Sequence, residues 1–341
     1  MTVPSEETLW SGGCLFSVLS NINMLYHSST SNTHRHTHTH VTCFLTSREK
    51  RYDGNMEAML ECVRMSHGNT WSQDPMMQLK MTALLSPDLC VKLTTLIAQQ
   101  PYDLSLLVRA MDGEPISFPG LDEREVAHFL CGLRRLNKIA EESVNKVRVL
   151  VDAEYTYMNP ALSLVTMAMM KKFNKDSAWI WNTYQCYLKE SRSLLLEALS
   201  LSQSEGFCLG VKLVRGAYMD KERKLAEKEG RQDPVHQCWE DTNDSYNGSL
   251  DVMLNAISQK PERHRIIVAT HNEESVRRAA KRMEELEINK GGGSVCFGQL
   301  LGMCDHVSLT LGGLLIIYII CIRVIVLIHR TEPADKYSFL H

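Results

Sequence analysis

No two of the eleven cysteines in this chain are spaced as C-x-x-C. That absence removes the usual zinc-ribbon and dithiol redox patterns. The thiols are scattered through apolar stretches, as at Cys131, Cys208 and Cys296, and read as reduced cysteines in a reducing compartment. No G-x-G-x-x-G opens a helix after a strand, so a Rossmann dinucleotide site is excluded. A P-loop, an H-E-x-x-H helix and a G-x-S-x-G elbow are also missing. P-loop nucleotide hydrolysis, zincin chemistry and the α/β-hydrolase elbow are thereby set aside. Strong charge of one sign is lacking too: the net charge is −3 and no basic stripe stands out, which argues against a nucleic-acid partner.

What is present suits a large α/β domain. The chain has 341 residues, 44% apolar and 23% charged, ordinary for a globular protein. Residues 1–52 read as a low-complexity, disordered N-terminal region. His34, His36, His38 and His40 alternate with Thr and Arg, with no carboxylate or cysteine at ligand spacing nearby, so no metal site is predicted. Glu6, Glu7 and few arginines make this stretch a poor transit peptide. The sequons at Asn243 and Asn247 read as chance matches.

From Asp53 the pattern becomes regular. A helical part comes first, with an amphipathic helix over Asn55–Met65 and a long one capped by Asp122. Strands are predicted at Met76–Leu84, Val147–Asp152, Ala178–Thr183, Phe207–Arg215, Arg265–Ala269 and Val295–Gly298, mostly with helices between them. The runs are apolar throughout, as strands covered on both faces are. Alternating strand and helix means a parallel sheet. The predicted fold is α/β: a distorted (β/α)8 TIM-type barrel over residues 53–312, with a helical N-terminal part, incomplete at its C-terminal end. Residues 313–341 form a divergent hydrophobic tail. Its apolar run from Val307 to Ile328 carries only Arg323 and is near the length of about 20 residues that spans a membrane. The favoured reading of the tail is a non-native C-terminus rather than a membrane helix.

Polar groups stand at the carboxyl ends of several strands, where such barrels keep their chemistry. They are Lys80, Asp152, Gln185, Lys212 with Arg215, and Thr270-His271-Asn272. An aspartate beside Lys80 would hold its ammonium in place. The Gln185 carboxamide suits the edge of a heteroaromatic ring. Lys212, Arg215 and the flexible Gly216 suit an anionic group. Taken singly, each also fits a satisfied structural role. Residue chemistry alone ends at an incomplete barrel holding an anionic cofactor.

The motifs go further. Leu150-Val151-Asp152-Ala153-Glu154, Asn182-Thr183-Tyr184-Gln185, the run from Lys212 to Tyr218, Ala269-Thr270-His271-Asn272-Glu273 and Phe297-Gly298-Gln299-Leu300-Leu301-Gly302-Met303 resemble the strand-end motifs of proline dehydrogenase, in that family's order. Asp152 to Thr156 and Cys304-Asp305-His306-Val307-Ser308 lean toward its vertebrate hydroxyproline branch. The resemblance implies FAD-dependent oxidation of proline or 4-hydroxyproline to a pyrroline carboxylate. It also implies a quinone electron acceptor and a mitochondrial site at the matrix side of the inner membrane. Carried over, Lys80, Asp152, Tyr218 and Leu300 would meet the amino-acid substrate, with Lys80 near its carboxylate. Gln185, Lys212, Val214, Gly216, Ala217, Thr270, His271 and Asn272 would hold FAD. No metal ligand is implied.

The sequence also departs from that pattern. The family's last strands and its Arg-Arg-x-x-Glu-Asn helix are not seen after Gly312. Loss of two charge-assisted contacts to a carboxylate would weaken binding by roughly 10²–10⁴-fold. The expectation is a weak enzyme. The alternatives are an inactive, membrane-tethered isoform and, from a different class, a barrel lyase using Lys80 or Lys212 as a Schiff base.

Overall fold

A computed structural model describes residues 37–68, 74–100, 102–300, 302–314 and 319–322. The chain divides into two compact units, Met1–Arg48 and Glu49–His341. Of the first, the described residues are the opening turns of helix α1 (Thr37–His67). The helix expected over Asn55–Met65 is therefore longer, and the boundary expected at residue 52 falls inside it.

The second unit is a seven-stranded parallel sheet in simple sequential order. Its strands are β1 (Met76–Leu79), β2 (Arg148–Val151), β3 (Ile180–Gln185), β4 (Leu209–Val214), β5 (His264–Ala269), β6 (Val295–Leu300) and β7 (Ile319–Ile322). Helices α2 (Pro87–Gln99), α3 (Leu104–Met111) and α4 (Glu123–Ser143) lie between β1 and β2. Single helices α5 (Asn159–Phe173) and α6 (Ser191–Glu205) follow β2 and β3. The β4–β5 connection carries α7 (Met219–Glu229) and α8 (Trp239–Gln259). Helices α9 (Glu273–Glu285) and α10 (Asp305–Leu314) follow β5 and β6.

Local chemistry sets these boundaries. Asp122 accepts from the Arg124 and Glu125 amides at 2.9 Å, and Glu125 returns the bond to the Asp122 amide at 2.8 Å. That is the capping box expected of the long helix. Pro160 sits in the first turn of α5, where its missing N–H costs nothing.

Side-chain parity sorts the core. Val149, Val151, Val211, Leu213, Ile266 and Val268 pack outward in the large cluster shared with the helices. Leu150, Trp181, Ile267 and Cys296 form a second cluster on the inner face. Gly210 makes room for it: a Cβ there would sit 2.5 Å from Trp181 Cγ. The inner face is thus filled by bulky side chains low in the sheet, and its upper, carboxyl end is left to polar residues.

Two expectations need correction. The first strand stops at Leu79, and a short 3-10 turn over Met81–Ala83 replaces its predicted second half. The tail also contributes: Ile319–Ile322 pairs in parallel with Phe297–Leu300 as a seventh strand where six were expected. Four consecutive apolar residues give no period to read. The rest of the predicted tail, at 315–318 and 323–341, lies outside the described residues, as do the alternating histidines from 34 to 36. Among the described residues no helix is long and apolar enough to cross a membrane, and no strand pairing joins β7 to β1.

Candidate active site

Register brings the predicted polar residues to one end. Asp152 follows the last residue of β2, and its amide donates to Leu79 O at 2.9 Å, which sets it beside Lys80 at the end of β1. Thr183 pairs with Lys212 and Gln185 with Val214 across β3 and β4. Lys212 and Val214 therefore share the inner face with Gln185 by parity.

The closest ion pair there is Lys212 with Asp152. Nζ lies 2.8 Å from Oδ1, and both side chains are largely buried. The sequence suggested Lys80 as the direct partner of Asp152. Lys80 is instead the second cation of the group. Burial alone would lower its ammonium, but Tyr218, Glu154 and Asp152 around it hold it above its ordinary value. Lys80 thus keeps a positive charge at the mouth without spending it on one tight carboxylate.

Glu154 was missed by sequence reasoning. It is 8% exposed and takes the Thr82 hydroxyl at 2.8 and 3.0 Å. Burial pushes its carboxyl up; the Thr82 hydroxyl and Lys80 offset part of that effect, and Asp152 adds to it. The available signal was its two-residue spacing from Asp152. Asn159, read only as a helix start, is a second omission. Its amide nitrogen donates to Gln185 Oε1 at 3.0 Å, and its oxygen accepts from the Glu154 amide at 2.7 Å. Asn159 thereby orients the buried Gln185 carboxamide.

An aromatic wall closes one side. Tyr218 caps the start of α7, and its ring lies 4.5 Å from that of Tyr155. Tyr155 stacks on Tyr157 at 5.3 Å, with planes 7° apart. Leu300 ends β6 half-buried. Ala217 is exposed at the rim.

Gly216 has φ +135, open to glycine and strained for other residues. The group that comes close to it is Tyr187, whose Cδ1 would lie 1.6 Å from an added Cβ. The glycine was expected to admit a ligand; within the fold it admits this ring.

The remaining predicted residues divide. Arg215 and Thr270 belong to the opposite parity and face the helices. Arg215 donates to Asn243 Oδ1 at 2.7 Å, Ser275 Oγ at 2.9 Å and Thr270 Oγ1 at 2.5 Å, and lies 4.3 Å from the Tyr246 ring centre. Desolvation lowers its guanidinium. Asn272 is the N-cap of α9, accepting from the Ser275 amide at 2.9 Å. His271, between them, has a buried Nδ1 with no hydrogen-bond partner. Among the described residues no group of His, Cys, Asp and Glu could hold a metal ion. Lys80, Asp152, Lys212, Gln185 and Tyr218 form the mouth, while Thr270 and Asn272 are engaged in the frame beside it.

A parallel α/β barrel segment with ionic and amide groups at its carboxyl end is the general type of a barrel enzyme. Residues 28–325 match the proline dehydrogenase family. Hydroxyproline dehydrogenase of Xenopus laevis is 56% identical over 271 residues, covering 78% of this chain and 58% of that protein. The Homo sapiens hydroxyproline dehydrogenase is 43% identical over 279 residues, covering 78% of this chain and 60% of that protein. Proline dehydrogenase 1, mitochondrial, of Homo sapiens is 44% identical over 191 residues, covering 56% of this chain and 32% of that protein. The fold matches proline utilization A (PutA) from Bdellovibrio bacteriovorus inactivated by N-propargylglycine. That match has a TM-score of 0.59 at 21% identity, over 78% of this chain and 26% of that one. The chain belongs to the proline dehydrogenase family, and it spans about 60% of the length of the hydroxyproline dehydrogenases it matches.

Proposed function

We propose that this chain carries the barrel site of an FAD-dependent dehydrogenase that oxidises the ring C–N bond of L-proline or 4-hydroxyproline to the corresponding pyrroline carboxylate. The observation that carries this reading is the gathering of Lys80, Asp152, Glu154 and Lys212 under Tyr218 at one mouth. The residues present suit FAD. The Gln185 carboxamide is oriented toward the inner face, His271 Nδ1 is a buried polar atom without a partner, and Arg215 is a cation among neutral oxygens beside it. Gln185, Lys212, Val214 and His271, with Ala217 at the rim, would hold the cofactor, which supplies two-electron acceptor chemistry when bound; Gly216, Thr270 and Asn272, the other residues expected there, would border it from the frame.

The chain's own residues then bind and orient. The Lys80 ammonium receives the substrate carboxylate, a charge-assisted contact. Asp152 neutralises Lys212, so the two lysines do not repel a second cation at the substrate nitrogen. Glu154, whose carboxyl is pushed up by burial, stands beside Lys80 and takes the Thr82 hydroxyl. Tyr155, Tyr218 and Leu300 wall the mouth against water. The relatives named mitochondrial support a mitochondrial site for this chain; the matrix side of the inner membrane and a quinone electron acceptor rest on the family resemblance alone.

An inactive or weakly active tethered isoform is the alternative; β7, which places residues 319–322 in the sheet, speaks against the tether and not against inactivity. Purified protein titrated with FAD, then with L-proline or 4-hydroxyproline without oxygen, separates the two. Bleaching of the flavin band supports the dehydrogenase. Flavin binding without bleaching supports the inactive form, and folded protein that binds no flavin defeats both.

A further inference from the structure

Glu222 lies one helical turn beyond Tyr218, in the first turns of α7. It is 1% exposed, and a buried carboxylate needs partners. Two of them come from a single residue of another element. The Thr156 amide donates at 2.7 Å and the Thr156 hydroxyl at 2.6 Å. The cation nearest to it, Arg231, is 3.7 Å away and is closer to Glu229, at 2.6 Å. The carboxylate is therefore committed to Thr156, in the irregular segment that joins β2 to α5.

That segment begins with Asp152 and carries Tyr155, whose ring leans on Tyr218. Lys221 adds a tie, donating to the Tyr155 hydroxyl at 3.2 Å. Residues four apart on a helix lie on one side, so Tyr218 and Glu222 face the same segment together. The Tyr155 carbonyl accepts from the Met158 and Asn159 amides at 2.9 Å, which ties the segment to α5; Glu222 is the buried group that ties it to α7, the helix at whose start Tyr218 stands.

We propose that Glu222 is a positioning residue that braces the β2–α5 segment against α7 and so fixes Tyr218 over Lys80. The claim rests on the reading of this mouth as the substrate site, and its test is built to judge the two separately. The Lys80 amine is labelled with a small acylating reagent and quantified by mass spectrometry, with exposed Lys281 as the internal reference. Glu222→Ala and Thr156→Val each raise Lys80 labelling about tenfold, and the double variant adds little because both remove one contact. Glu222→Gln falls between, since it retains one acceptor. Where L-proline binds the parent protein, its Kd or KM rises about tenfold in the same variants with kcat nearly unchanged. A merely structural glutamate would lower Tm and leave the Lys80 rate and the KM-to-kcat split in place, which would overturn the proposal. Thr156→Val keeps the test open if Glu222→Ala does not fold. If the parent binds neither proline nor hydroxyproline, the substrate reading fails, and Lys80 labelling alone decides the brace.

Discussion

The two ends of the sheet spend their polar groups differently. At the amino end Asn174 and Arg148 are consumed by the fold, although His264 Nδ1 and Arg265 Nε there are buried without partners. Asn174 is fully buried and accepts from the Trp179 and Ile180 amides at 2.9 Å, while donating to Ile180 O at 2.8 Å and Cys208 O at 2.9 Å. Arg148 pairs with Asp74 at 2.6 Å, donates to Ala178 O at 2.6 Å and lies 4.9 Å from the Trp179 ring centre. At the carboxyl end, Lys80 keeps its charge among several partners, and His271 Nδ1 keeps no partner at all. Unpartnered atoms therefore occur at both ends; what sets the carboxyl end apart is the gathering of two lysines with Asp152 and Glu154 at one mouth.

The largest expected effect is at the amino end. Asn174→Ala leaves four backbone groups without their side-chain partner, three of them buried, and costs about 4 kcal/mol by denaturant unfolding, with ligand affinity unchanged in the folded fraction. A loss of affinity of more than a few-fold would break the contrast. Gly216→Ala, where the sheet meets the mouth, adds a Cβ into Tyr187 and costs about 3 kcal/mol from overpacking and strain. Restoring space with Tyr187→Ala in the same chain recovers part of that loss.

Asp152→Asn sharpens the contrast from the other end. It leaves Lys212 without its carboxylate and disturbs the mouth, so substrate affinity falls about 10- to 100-fold in a binding titration. Unchanged affinity would show that the pair is frame, not site.

The smallest effect is one of pH. Burial, helped by Arg263 and Lys260, lowers His264 from 6.5 to about 4 at the start of β5. Between those values the unfolded chain binds more protons than the folded one, so stability rises with pH. The contribution is complete above about 6.5 and is lost as pH falls toward about 4, on the order of 2 kcal/mol in all once solvent screening of the imidazole is discounted. His264→Gln flattens that slope in paired melts at pH 7 and pH 4.5 and leaves ligand binding alone.

Much of this was legible in the sequence. Apolar runs ending in Asp152, Gln185 and Lys212 located β2, β3 and β4 and the mouth above them, because a strand covered on both faces has few other places for a polar residue. Parity was harder. Lys212 and Arg215 are three residues apart and so face opposite sides, yet both were read toward one anion; the register with β3 decides between them. Glu222 and Asn159 act across loops, through contacts 66 and 26 residues away in the chain, and no local pattern reports such pairs. The seventh strand was hidden by its uniform apolarity.

The central claim, that the carboxyl end is site and the amino end is frame, is tested most directly by one crossed experiment. Unfolding free energy and the Kd for FAD and L-proline are measured together for Asn174→Ala and Lys80→Met. The account predicts that Asn174→Ala loses stability and keeps affinity, while Lys80→Met keeps most of its stability and loses proline affinity at least about tenfold. Equal losses of both quantities in both variants would contradict it.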